Sequence, residues 1–267
     1  MTDSEAPIIS GKDLRVRYGS REILHGLNFD VQPGETIVIL GGSGSGKSTL
    51  LRTMVGLEKP TSGEVWVGGT NLASASDAEL DDVRKRIGLS FQGGALIGSM
   101  TVGENVALPL QEHTNLEAST IEVMVRIKLE QVGLLKFQHF MPSQLSGGMK
   151  KRAALARAMA MDPEILFFDE PSAGLDPIVA AGIDVLILNL KKALAVTIVV
   201  VTHELASAFL IADRILVLDG GVILAMSATE ELKRSTHPRI QQFLHRVPDN
   251  NDVRDDVDHL RLFTDRI

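Results

Sequence analysis

The chain has 267 residues and a formal net charge of −7, which is enough to bury a sizeable core as one large α/β domain or two smaller ones. The acidic balance argues against a general nucleic-acid binder, which needs clustered Lys and Arg to displace counterions. There is no cysteine, so disulfides and thiolate metal sites are excluded and a reducing compartment is allowed.

Residues 1–7 are acidic and polar and lack the basic-then-apolar plan of a signal peptide. Residues 12–18 and 23–31 read as two strands, the second alternating Leu27, Phe29 and Val31 with Asn28 and Asp30. Residues 36–40 form a continuous apolar strand that runs into Gly41, Gly42, Ser43, Gly44, Ser45, Gly46, Lys47, Ser48 and Thr49. This stretch fits G-x-x-x-x-G-K-[ST] without a mismatch and leads into residues of helical composition. Its glycines let backbone N–H groups turn inward, and the helix N-terminus adds its positive end, so a polyphosphate is held by fixed dipoles. Lys47 is placed to reach the β- and γ-phosphates, and the Ser48 hydroxyl to bind Mg²⁺. The loop alone serves a kinase or GTPase nearly as well. Tyr18, the only tyrosine, lies upstream of it, and both rim packing and adenine stacking are open to that ring.

Pro60-Thr61-Ser62-Gly63 breaks the chain before a short strand at 64–67, a polar helix at 77–86 and a strand at 87–91. From 93 to 161 the pattern is largely helical, clearest at 116–132 and 147–161, and reads as a helical insertion into a sheet domain. Two basic runs, Arg84-Lys85-Arg86 and Lys150-Lys151-Arg152, sit beside helical patterns and read as solvated faces. Apolar runs at 165–168 and 197–201 are expected as parallel strands covered on both faces. Asp176-Pro177 supplies an N-cap and first-turn proline for a helix carrying Val179, Ile183, Leu186, Leu190 and Leu194. A helix at 204–212, a hairpin across Gly220-Gly221 and a last helix at 238–247 follow. No apolar run reaches membrane-spanning length, so a cytosolic protein is expected, with any membrane role coming through a partner. The segment 248–267 mixes acids with Val257, Leu260, Leu262, Phe263 and Ile267. A solvated tail and a docking segment are both open there.

Polar residues stand where the predicted buried strands end: Gln92 after Phe91, Asp169-Glu170 after Phe168, and His203 after Thr202. Ligands of open parallel sheets bind outside the carboxyl ends of the strands, so these groups should converge on the phosphate loop. Ser146-Gly147-Gly148 opening a helix, followed by Phe167-Phe168-Asp169-Glu170-Pro171, resembles the signature and following strand of ABC-transporter ATPases over about residues 14–243. The resemblance implies an α/β P-loop ABC-type nucleotide-binding domain with an N-terminal antiparallel β subdomain, a parallel-sheet core and an inserted helical subdomain. The domain would span residues 1–247, with the helical part at about 93–161 and a tail at 248–267.

By position, the resemblance makes Tyr18 the adenine-stacking aromatic, Gln92 the coupling glutamine, residues 172–176 the loop facing the opposite subunit and His203 the switch histidine. Ser146, Gly147, Gly148, Met149 and Asp176 would then serve the nucleotide of a second chain, so ATP lies between two subunits of a homodimer. Asp169 can hold Mg²⁺ through water, completing a shell begun by Ser48 and Gln92. Glu170 is placed to polarise an attacking water, and His203 to hydrogen-bond the γ-phosphate region beside Lys47. Two positions depart from the common pattern: Gly42 stands where many members have Pro, and Met149 where Gln is usual.

Within that family, Phe91-Gln92-Gly93-Gly94-Ala95-Leu96-Ile97, Thr101-Val102-Gly103-Glu104-Asn105-Val106 and Pro109-Leu110-Gln111-Glu112-His113-Thr114 resemble the ATPases of Mla-type phospholipid-trafficking systems. Leu145-Ser146-Gly147-Gly148-Met149 and Arg152-Ala153-Ala154-Leu155-Ala156-Arg157-Ala158 add to the match. This implies a peripheral subunit on the cytoplasmic face of an inner membrane, with permease subunits, a STAS-domain protein and, through the permease, a periplasmic ring of lipid-binding MCE domains. Import of a small solute is the alternative within the family. A soluble ABC protein acting on ribosomes or DNA is a further one, against which one cassette, no long heptad run and the acidic balance speak.

Overall fold

The computed structural model describes residues 6–247, so the expectations for 248–267 lie outside the described residues. The chain divides into two compact units, Met1–Thr229 and Glu230–Ile267.

The first unit opens with a hairpin of β1 (Ile9–Tyr18) and β2 (Arg21–Val31), paired antiparallel with Tyr18 opposite Arg21. β3 (Thr36–Leu40) and α1 (Lys47–Met54) follow, then β4 (Ser62–Val67) and the two-residue β5 (Thr70–Asn71). β2, β1, β4 and β5 make one antiparallel sheet in that order. Its strands bury Ile9, Leu14, Val16, Leu27, Val65 and Val67 on one side, the half-wet pattern expected of such a sheet.

The second sheet has the order β10-β9-β3-β8-β7-β6, using β6 (Ile87–Ser90), β7 (Ile165–Asp169), β8 (Thr197–Thr202), β9 (Arg214–Asp219) and β10 (Val222–Ala228). Pairing is parallel except for the β9–β10 hairpin. Every residue of β3 and β8 is buried, which is why both read as unbroken apolar runs rather than alternations. The register sets Leu40 beside Thr202, Asp169 beside Val201 and Ser90 beside Phe168. The loops leaving β3, β6, β7 and β8 therefore all emerge from one edge.

Helix α2 (Asp77–Lys85) carries a capping box in which Ser76 N–H donates to Glu79 at 2.8 Å. Arg84 and Lys85 pair with Asp81 and Asp82 on its exposed face, as expected of a solvated run. Between β6 and β7 lie α3 (Val102–His113), α4 (Ala118–Gln131), two 3₁₀ turns and α5 (Gly147–Ala158), which is the expected helical insertion. Its first residues are not helical, because Gly94 and Ala95 take positive φ and a side chain replaces the helical ladder. The buried Asn105 amide accepts from Ile97 N–H at 2.7 Å and donates to the carbonyls of Ile97, Met100 and Thr101. Helices α6 (Pro177–Leu194) and α7 (Leu205–Ile211) complete the unit. The second unit contributes the Pro238–Leu244 helix.

Helix α5 packs against β6 so closely that a Cβ built at Gly88 would overlap the Ala158 carbonyl oxygen and lie 2.8 Å from Leu166 Cδ2. Neither neighbour is free to yield. Gly88→Ala should therefore destabilise the chain by about 1–3 kcal/mol in urea unfolding, whereas Gly98→Ala, which meets open space, should change it by less than about 0.5 kcal/mol. Equal midpoints for the two variants would contradict this packing.

Candidate active site

The phosphate loop is built between two fixed ends. β3 before it is wholly buried, and α1 after it starts at Lys47 with Gly46 as N-cap at φ 104, a conformation strained for any residue with a Cβ. A Cβ there would also approach Leu24 Cδ2 to 2.8 Å. Ser76, Thr101, Ser146 and Asp176 close the N-termini of α2, α3, α5 and α6 with side-chain hydrogen bonds. The α1 N-terminus has no side-chain cap and no acid in its first turn. Its first N–H groups and positive dipole end are left for an anion.

An open depression of about 280 Å³ lies over this loop, lined by Arg21, Ile23, Gly44, Ser45, Gly46, Lys47, Ser48 and Thr49. The Lys47 ammonium donates to the Gly41 carbonyl at 2.9 Å and the Gly42 carbonyl at 2.8 Å. Burial pushes its pKa down, while the fields of Glu170 and Asp169 pull it back up. The Ser45 hydroxyl is buried without a partner. An uncapped helix end, a lysine bound only to its own loop and an orphan hydroxyl together fit a polyphosphate.

Asp169 ends β7 and Glu170 follows it. Burial, and then the Glu170 charge, push the Asp169 carboxyl above its ordinary value, against the pull of Arg52, Lys47 and Lys151. A half-buried carboxylate at a strand end is a suitable donor for a hard divalent cation. Ser48 stands exposed in the first turn of α1, and Gln92 is exposed two residues beyond β6, so the three predicted Mg²⁺ donors lie at the same sheet edge.

Glu170 is only 8% exposed and takes φ +50, an uncommon conformation for a residue with a side chain. Its N–H donates to Val201 at 2.8 Å. One carboxylate oxygen lies 2.8 Å from His203 Nδ1, and the other accepts from Thr202 Oγ1 at 3.3 Å. The His203 side chain remains 58% exposed, free on its far side to meet a ligand.

The predicted residues fall into two groups. Residues 41–49, Gln92, Asp169, Glu170 and His203 gather along the carboxyl edge. Ser146, Gly147, Gly148, Met149 and Asp176 do not line the phosphate-loop depression. Ser146 caps α5 by accepting from Met149 N–H at 3.3 Å, and Asp176 caps α6 by accepting from Ile178 and Val179 at 3.1 Å. Val179 packs on Gly148. Tyr18 is 44% exposed, and its hydroxyl donates to Glu58 at 2.9 Å. Burial, and then this bond, raise its pKa.

One expectation is corrected. Lys151 is not on a solvated face: it is 9% exposed, and its ammonium donates to the carbonyl of Glu170 at 2.9 Å and to that of Gln92. The signal was present in the spacing, since Lys151 shares a stripe with Gly148, Ala154, Leu155 and Ala158, all buried. Arg21, Ile23 and Thr202 also border the site, and nothing in the sequence pattern marks them.

The ABC transporter family model matches residues 24–173. The intermembrane phospholipid transport system ATP-binding protein MlaF of Escherichia coli (strain K12) is 42% identical over 249 residues, 93% of this chain and 93% of that one. The probable ribonucleotide transport ATP-binding protein mkl of Mycobacterium leprae is 39% identical, covering 89% of this chain and 68% of that one. Among solved structures, the dimeric post-hydrolysis state of the ATP-binding cassette MJ0796 bound to ADP and Pi superposes with a TM-score of 0.76 at 33% identity, over 83% of this chain and 98% of that chain. With the phosphate loop, the strand-end carboxylates and their geometry in place, these matches make the chain a member of the ABC transporter family, one of its ATP-hydrolysing subunits.

Proposed function

We propose that this chain powers a membrane complex that moves phospholipid between the inner and outer membranes of a Gram-negative-type envelope. The observation that carries the reading is the 42% identity to MlaF over nearly the full length of both chains. The mycobacterial ribonucleotide-transport relatives favour a small solute instead, but the match spans only 68% of the one from Mycobacterium leprae. Site chemistry serves either cargo equally.

In this reading the uncapped end of α1 and the backbone of residues 41–49 take up the phosphates of ATP, and Lys47 turns from its own loop carbonyls to the β- and γ-oxygens. Tyr18 stacks on the adenine. Ser48, Gln92 and Asp169 would hold Mg²⁺, which neutralises phosphate charge when bound. Glu170 takes the proton of the water that attacks the γ-phosphorus, with ADP leaving in line. Thr202 and His203 fix its two oxygens, and the exposed side of His203 donates to the γ-phosphate. Phosphoryl transfer depends mainly on positioning and charge, and a carboxylate whose backbone and side chain are both tied supplies the first.

The signature residues Ser146, Gly147, Gly148 and Met149, with Asp176, would complete the site of a second copy. Their separation from the phosphate-loop depression and the dimeric state of the MJ0796 cassette support this. Residues 1–247 form the ATPase domain in this reading, with 93–161 as its helical subdomain. Among the described residues no helix is long and apolar enough to cross a membrane, so passage falls to permease subunits, joined by a STAS-domain protein and a periplasmic MCE ring. The ATPase would sit peripherally on the cytoplasmic face, its 93–114 segment against the permease.

Purification with co-expressed neighbours should yield permease subunits and bound phospholipid; a soluble solute-binding protein in their place would overturn the cargo. Glu170→Gln should keep ATP binding and lower turnover by about 10²-fold or more, and near-normal turnover would remove Glu170 from its role. For Asp169, the folded pKa lies above the unfolded one, so ionisation at neutral pH opposes folding. Stability should then rise as pH falls through that raised value. Asp169→Asn should raise the melting temperature of the nucleotide-free chain at pH 7, with little gain near about pH 4, while abolishing Mg²⁺-dependent turnover. A lower midpoint at pH 7 would contradict the assignment.

A further inference from the structure

Helix α5 begins at the signature, and two of its cations, the buried Lys151 and the partly buried Arg157, reach backbone carbonyls rather than acids. Lys151 bridges the carbonyls of Gln92 and Glu170, 78 positions apart in the chain. Six residues further on, Arg157 donates to the Ala95 carbonyl at 2.7 Å and to the Gly94 carbonyl at 2.9 Å. Both loops lack a regular ladder at these points: Gly94, Ala95 and Glu170 all take positive φ, and their conformations persist only if the surroundings over-determine them. Burying an ammonium is expensive, so its two partners must be good ones. Burial pushes the Lys151 pKa down, and Glu170 and Asp169 restore part of it.

We infer that Lys151 is a positioning residue for ATP hydrolysis, tying the loop of Gln92 and the loop of Glu170 to the signature helix so that the two keep one fixed spacing. Lys151 touches no nucleotide in this arrangement. It acts on the reaction by holding the main chain that carries the water-polarising carboxylate and the Mg²⁺-binding amide. The inference rests on the roles given to Glu170 and Gln92 above. A lysine with a four-carbon stem and three donors suits the task, since one head group must serve two carbonyls from a neighbouring helix.

The test uses the full chain assembled with its partners. Turnover at saturating ATP, affinity for a fluorescent ATP analogue and thermal midpoints are measured for Lys151→Met, Lys151→Arg and Glu170→Gln. Lys151→Met should lose about tenfold or more in kcat, the scale of a lost charged hydrogen bond, with analogue affinity held within about twofold. Lys151→Arg should recover most of the rate. Wild-type kcat in Lys151→Met would overturn the inference. So would failure of Lys151→Arg to recover the rate, or a loss of affinity that matches the loss of rate, since a merely structural role predicts both. If Lys151→Met does not fold, Lys151→Gln, shorter and uncharged, takes its place with the same expected split. Normal turnover in Glu170→Gln would instead sink the underlying assignment, whereas an inactive Glu170→Gln beside a fully active Lys151→Met would sink only the role of Lys151.

Discussion

Two adjacent carboxylates at the carboxyl end of one buried strand set the terms for the rest of the structure. Burial, and then the charge of Glu170, raise the cost of ionising Asp169. Each surrounding feature offsets part of that charge without cancelling it. Lys47 and Lys151 act through their fields, and His203 and Thr202 hold the Glu170 oxygens. No side chain forms a direct ion pair with Asp169 among the described residues, and a fully neutralised Asp169 would have nothing left for a cation to bind. In the proposed reading, a metal and a phosphate chain would supply the charge that the protein leaves unbalanced.

The sheet makes this crowding achievable. Parallel register aligns the ends of β3, β6, β7 and β8 within two residues of each other, and crossover helices keep both faces covered, so the strand ends are rigid and only the loops beyond them are wet. Close packing is the condition for that rigidity. α5 lies directly on Gly88 of β6, which fixes the strand that delivers Gln92 and brings Lys151 within reach of two loops at once.

Much of this was legible because each motif is a local solution to a local problem. Gly46-Lys47-Ser48 needs only its own backbone, the all-buried β3 and β8 announce themselves as apolar runs, and Asp176-Pro177 caps its own helix. Asp169, Glu170 and His203 were found because they interrupt apolar runs at strand ends. The missed residues solve problems set by distant parts of the chain. Lys151 looked solvated because its partners are carbonyls of residues 92 and 170, which no composition records. Asn105 was read only as part of a motif, although its amide shapes Ile97 to Thr101 through four hydrogen bonds. Tyr18 gave no hint of Glu58, forty residues on. The proposal that Ser146 and Asp176 serve another chain rests on resemblance alone, since in one chain each has a sufficient local duty as a helix cap.

The same contacts form a continuous path across the helical insertion. Asn105 fixes the loop at 97–101 to α3, Arg157 fixes Gly94 and Ala95 to α5, and Lys151 fixes Gln92 and Glu170 to the same helix. In the proposed assembly the permease meets this insertion near 93–114, and the signature at the start of α5 meets the nucleotide held by the second ATPase. α5 then joins three things: the membrane contact, the partner's ATP and the chain's own Glu170. It does so through a helix and a few side-chain bridges to backbone carbonyls, those of Lys151 and Arg157. A displacement of the insertion cannot leave the Glu170 loop behind unless the Lys151 bridge breaks. In the proposed assembly, hydrolysis would thereby be conditional on where the permease and the opposing nucleotide set α5.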